Sequence, residues 1–89
     1  MSDAAPLRFG KGIRLRTESD GSAMLLVPEG VLQLNGTAGA ALELVDGRRT
    51  LPEIVAAVVE RFDVAPEEAR ASVAELFERL ADRGFLRDG

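Results

Sequence analysis

The chain has no cysteine, histidine, tryptophan or tyrosine. Without cysteine there is no disulfide framework, no thiolate nucleophile and no soft metal ligand. Without histidine the usual near-neutral acid–base group and the commonest zinc ligand are both missing. Lysine occurs once, as Lys11 between Gly10 and Gly12, and nothing around it suggests the apolar pocket that a Schiff-base lysine needs. Positive charge is also scarce: 11 Lys and Arg stand against 15 Asp and Glu, a net charge of −4. That balance argues against non-specific nucleic-acid binding, which depends on clustered basic residues. No apolar run approaches the roughly 18 residues of a membrane span, and Met1–Pro6 lacks the charged start and apolar stretch of a signal peptide. The expectation is a cytoplasmic protein.

What is present suits one small folded domain. The chain has 89 residues, 46% of them hydrophobic, which allows a single modest core. We expect residues 1–89 to form one domain, with 1–6 as a flexible leader. Ile13-Arg14-Leu15-Arg16-Thr17 alternates apolar and polar, the period of a half-buried strand. Glu18 to Ser22 is a cluster of turn formers, and Ala23 to Val27 is an apolar run of strand length. Pro28-Glu29-Gly30 interrupts that run and Val31-Leu32-Gln33-Leu34 resumes it, so the pair reads as a hairpin around a three-residue loop. A sheet covered on one face should alternate, yet residues 23–27 are apolar throughout. Either the N-terminal segment covers the far face, or Met24 and Leu26 meet a partner or a second copy.

Helical signals follow. Asn35, or Thr37, can cap a helix carrying Ala38, Ala41, Leu42 and Val45, and Asp46-Gly47 ends it. Thr50-Leu51-Pro52-Glu53 has capping-box spacing with proline in the first turn. Leu51, Ile54, Val55, Val58, Val59 and Phe62 then share one broad face. Pro66 opens a third helix whose stripe is Ala69, Val73, Leu76, Phe77 and Leu80, with Glu75, Arg79 and Arg83 spaced for ion pairs on another face. Gly84 closes it, and Phe85-Leu86 can fold back onto the core. Three strands followed by three helices give an α+β class, a winged helix-turn-helix-like fold with a three-stranded antiparallel sheet.

The stretch Pro28 to Phe62 carries a family likeness. Its marks are the turn Pro28-Glu29-Gly30, the pair Leu34-Asn35, the segment Leu44 to Arg49, and a helix ending in Arg61-Phe62, with Phe9 to Leu15 upstream. Over roughly residues 7–86 the chain resembles the pyrroloquinoline quinone (PQQ) biosynthesis protein D family. One departure is Ser72-Val73, where many members carry Asp-Val. The resemblance implies a peptide chaperone with no catalysis and no cofactor of its own. Family members bind the ribosomal PQQ precursor peptide and present it to a radical S-adenosylmethionine enzyme that cross-links a Glu and a Tyr. They belong to the precursor-peptide recognition domains (RiPP recognition elements), where the peptide adds as a strand beside the third strand and lies against the third helix. Carried onto this chain, the expected peptide-binding residues are Val31, Leu32, Gln33 and Leu34 with Arg70, Val73 and Phe77. Leu32 is where proline should break the pairing. Alternative readings are a direct carrier of the quinone and a DNA-binding winged helix, the latter opposed by Glu67 and Glu68 at the start of the third helix. Partners other than the peptide and the enzyme reduce to a second copy: surplus apolar strand surface suits a homodimer, while neither nucleic acid nor membrane is expected.

Overall fold

A computed structural model describes residues 4–20, 22–34 and 36–88. In chain order its elements are β1 (Leu7–Phe9), β2 (Arg14–Thr17), β3 (Ala23–Val27), β4 (Gly30–Leu34), α1 (Gly36–Glu43), α2 (Leu51–Phe62), α3 (Pro66–Asp82) and β5 (Leu86–Asp88). The three strands expected from periodicity form one antiparallel sheet in the order β2-β3-β4, and the three helices follow. Two short strands join them, since β1 pairs antiparallel with β5 and closes the N-terminal segment onto the C-terminal one. The backbone ties this closure down. Gly10 N–H donates to the Phe85 carbonyl at 2.8 Å, Leu7 N–H to Arg49 at 3.0 Å, and Gly47 N–H to Leu7 at 2.7 Å. Gly10 must be glycine, because a Cβ there would collide with the Gly84 carbonyl.

The sheet has a clean inner face. Leu15, Leu25 and Leu32 form one cross-strand row, and Thr17, Ala23 and Leu34 the next. Leu25 is fully buried, and Leu15, Leu32 and Leu34 pack against the core at half burial. The outer rows are Arg14, Leu26, Val31 and Arg16, Met24, Gln33. The N-terminal segment does not supply the expected cover as a strand, because Leu7–Phe9 is committed to β5 in the other sheet. Met24 and Leu26 stay half-buried on the outer face, outside the core cluster, and Val31 is 52% exposed.

Several boundaries shift from the expected ones. Strand β2 begins at Arg14, with Ile13 buried just before it. The hairpin turn is Pro28-Glu29, and Gly30 belongs to the strand, paired with Val27. Helix α1 stops at Glu43, short of Asp46, because Leu44 N–H and Val45 N–H bond three residues back and tighten the last turn. Gly47 then takes the left-handed φ of 81° needed for the reversal. The expected cap Asn35 lies outside the described residues, and Thr37 lies inside the first helical turn. The leader expected at 1–6 falls partly on residues 1–3, which are also outside them. Glu75, Arg79 and Arg83 make no ion pair with one another among the described residues.

The helical core follows the expected stripes of α2 and α3 except at Val59, Phe62 and Leu76, which are only half-buried. Gly39 lets α1 approach β3 closely, since a Cβ there would stand 2.7 Å from the Ala23 Cβ. Leu51, Ile54, Val55 and Val58 bury one face of α2, and Ala69, Val73, Phe77 and Leu80 one face of α3. The end of α3 is a Schellman turn: Phe85 N–H reaches Leu80 and Gly84 N–H reaches Ala81, with Gly84 at φ 78°. That turn aims Phe85 and Leu86 back into the core. Among the described residues no helix is long and apolar enough to cross a membrane.

Asp46 in the α1–α2 connection and Glu53 in the first turn of α2 are both held in their charged form. Backbone N–H groups of Arg48 and Arg49 donate to Asp46 Oδ1 at 2.9 and 3.0 Å, and these bonds, aided by the Arg49 guanidinium, lower the Asp46 pKa. Glu53 Oε1 accepts from the Thr50 N–H at 2.9 Å in the capping box, which lowers its pKa too. A carboxyl depressed in the folded state stabilises the fold above its unfolded pKa of about 4, and that stabilisation is lost as pH falls through the folded value. Melting followed from pH 6 down to about pH 2 is therefore expected to fall less steeply for an Asp46→Asn, Glu53→Gln double variant than for the parent.

Candidate functional site

Among the described residues β4 is the last strand of its sheet, and no strand pairs with its outer side. Which backbone groups face the opening follows from hydrogen-bond parity. Glu18 N–H donates to the Ser22 carbonyl at 2.9 Å, continuing the β2–β3 register in which Arg14 faces Leu26 and Arg16 faces Met24. In an antiparallel ladder, successive residues turn their N–H and C=O to alternate sides. Residues 22, 24 and 26 therefore bond toward β2, and 23, 25 and 27 toward β4. Their partners Leu34, Leu32 and Gly30 bond back toward β3. The N–H and C=O of Val31 and Gln33 are left pointing out of the sheet. This corrects the sequence-based choice of Leu32 as the position for a pairing-breaking proline: the Leu32 backbone is already engaged within the hairpin.

Side chains alternate the other way. Leu32 and Leu34 point to the helical side, where they line a depression of about 220 Å³ together with Leu76, Arg79, Leu80 and Arg83. A second depression of about 390 Å³ lies between α1 and α3, walled by Thr37 and Ala38 on one side and by Ser72, Val73 and Leu76 on the other. The two share Leu76 and Arg79, so they run into one another along α3. One groove thus starts beside the open strand and continues past the start of α1. Its floor is apolar and its walls carry charges of both signs. An extended segment laid there would pair its backbone with β4 and turn alternate side chains down onto α3.

The expected site residues separate on this geometry. Val31, Leu32, Gln33 and Leu34 are together on the open strand. Val73 lines the α1–α3 part of the groove, although it is only 2% exposed. Phe77 is 0% exposed and belongs to the core, so a ligand in the groove would rest above it without touching it. Arg70 lines a different depression, between α2 and α3, with Pro52, Val55 and Val59. The groove residues that sequence reasoning placed elsewhere are Leu76, Arg79 and Arg83. Their signal was present: Ser72, Leu76, Arg79 and Arg83 recur at i, i+4, i+7 and i+11, a stripe one step around the helix from the core stripe. Ser72, the departure from the family pattern, also opens into the groove.

Comparison with known proteins identifies the family and the fold. The family model for coenzyme PQQ synthesis protein D (PqqD) matches residues 22–86. The PqqA binding protein of Klebsiella pneumoniae is 46% identical over 66 residues, covering 73% of this chain and 72% of that protein. The PqqA binding protein of Pseudomonas aeruginosa is 45% identical over 65 residues, covering 72% of this chain and 70% of that one. The solution NMR structure of the PqqD truncation of Methylobacterium extorquens PqqCD, described as a functional and stand-alone RiPP recognition element, superposes with a TM-score of 0.78 at 31% identity. That alignment covers 98% of this chain and 94% of the other. By the extent of the family match and the identity to these relatives, the chain belongs to the coenzyme PQQ synthesis protein D (PqqD) family.

Proposed function

We propose that this chain binds the ribosomally made PQQ precursor peptide, the PqqA peptide for which its relatives are named, as an added strand on β4. One observation carries the reading. The open backbone of Val31 and Gln33 lies directly above an apolar groove shared by β4 and α3. An edge strand of this kind offers unsatisfied N–H and C=O groups to an extended chain, which gains affinity from main-chain bonds and selectivity from side-chain contacts.

The chain performs no chemistry on the peptide. It orders and presents it in the cytoplasm to the radical S-adenosylmethionine enzyme of the pathway, which does the cross-linking. Holding a floppy peptide in one extended form removes part of the ordering cost that the enzyme would otherwise meet. The residues favour the same division of labour, since without Cys and His the commonest activated nucleophile and near-neutral base are missing, and Ser, Thr and carboxylates would have to work unaided.

The test is a titration of isotope-labelled protein with synthetic precursor peptide, followed by NMR. The largest amide shifts are expected at Val31 and Gln33, with further shifts along residues 72–83 and little change in β1 and β5. Shifts confined to α2, or saturation only at millimolar peptide, would overturn the reading.

A further inference from the structure

Charge is unevenly distributed along the groove, on a chain whose net charge is −4. The end beside β4 is walled by Arg79 and Arg83 and by no carboxylate. The end beside α1 carries Glu68 and Glu75, with Arg79 at the junction of the two ends and Arg83 on the β4 side alone. Neither arginine makes an ion pair among the described residues, and both are exposed. Glu75 is four residues from Arg79 on the same helix and still does not pair with it. The two guanidinium groups thus stay available to a ligand, beside the strand edge where the ligand backbone would lie.

We propose that Arg79 and Arg83 form a carboxylate-reading pair that sets the register of the bound segment. This rests on strand addition at β4 and specifies what the added strand must carry. Four residues of helix advance by about 6 Å. Residues i and i+2 of a strand, which face the same side, are about 6.8 Å apart. Acidic side chains at two such positions on the groove face of the peptide match the arginine spacing, and each can accept a forked, charge-assisted hydrogen bond. A one-residue slip would turn the carboxylates away from the groove. A slip by two or more toward α1 would carry them to Glu68 and Glu75, where like charge opposes them, and a slip the other way would take them off the arginine pair. The ligand class is therefore an extended peptide with acidic residues on the β4 side of the groove and none on the α1 side.

Calorimetry on the full chain tests this with synthetic precursor peptide and with copies in which single Asp or Glu residues become Asn or Gln. The Arg79→Gln, Arg83→Gln variant is expected to bind the precursor at least about tenfold more weakly in about 50 mM salt, with the difference shrinking in about 500 mM salt. Neutralising the matching peptide carboxylate should weaken the parent to a similar degree and the variant hardly at all. Equal binding by parent and variant, or losses that simply add for every peptide carboxylate, would overturn the proposal. Gln33→Pro serves as the companion, because it removes a backbone donor and no groove charge. Loss of binding there, with the arginine variant behaving like the parent, sinks the charge reading alone. Unchanged binding by folded Gln33→Pro sinks the strand-addition reading beneath it.

Discussion

Proline in place of Gln33 is expected to leave the domain folded and to weaken precursor binding about 10- to 100-fold. The Gln33 N–H points out of the sheet from the terminal strand, so the ring deletes no bond of the β3–β4 ladder. Leu32 precedes it in an extended conformation, which a following proline favours. An incoming strand, in contrast, loses a donor at the centre of its contact and leaves one of its own carbonyls unpaired. A desolvated, unmatched group of that kind costs about 1–3 kcal/mol, or about one to two powers of ten in affinity. The measurement is a pair of titrations with one peptide preparation, alongside thermal melts of both proteins.

Leu32→Pro separates this mechanism from a general weakening of the sheet. Its N–H bonds toward β3, and its side chain sits in the inner row with Leu15 and Leu25. Proline there removes an internal ladder bond and a core contact together. Melting is therefore expected to drop first for Leu32→Pro, whereas Gln33→Pro loses binding with little change in melting. The opposite pattern would mean that the hydrogen-bond parity of the hairpin is inverted, and Val31 and Gln33 would no longer be the docking positions.

That parity also marks how far the sequence alone could be read. Alternation in residues 13–17 and 31–34 locates the strands and tells which side chains face inward, because side-chain direction has a period of two. The direction of each backbone N–H depends on the register against β3, which the turn fixes. Reading the turn as three residues obscured that register, whereas Pro28-Glu29 with Gly30 paired to Val27 defines it. β1 and β5 were beyond local reading for a different reason. Each is three residues long, too short for any period, and each is stabilised by a partner from the far end of the chain. The capping box at Thr50 and the Gly84 turn were legible because their bonds join residues close in sequence. On α3 the apolar stripe was legible as a stripe, but not which of two neighbouring leucine-or-larger positions faces inward and which faces the groove.

Leu76 and Phe77 are adjacent and both apolar, and their truncations are expected to do opposite things. Phe77 is fully buried among the core side chains of α2, α3 and the sheet. Phe77→Ala removes most of a large side chain and leaves a void, at a cost of about 3–5 kcal/mol. Domains of this size have about 5–15 kcal/mol of stability in total, so the variant should melt far below the parent or fail to fold near 37 °C. Leu76 is half-buried and lines both parts of the groove. Leu76→Ala leaves the core packing around Phe77 in place and should change melting modestly, while withdrawing the apolar floor on which a bound peptide rests. Loss of that contact corresponds to about 1–2 kcal/mol, a 5- to 30-fold rise in Kd for the precursor. Peptide binding by Phe77→Ala should be rescued wherever stabilising conditions restore the fold, because Phe77 acts through packing and makes no contact in the groove. If refolded Phe77→Ala still fails to bind while Leu76→Ala binds like the parent, the peptide reaches deeper than the groove seen here, and the faces of α3 have been assigned the wrong way round.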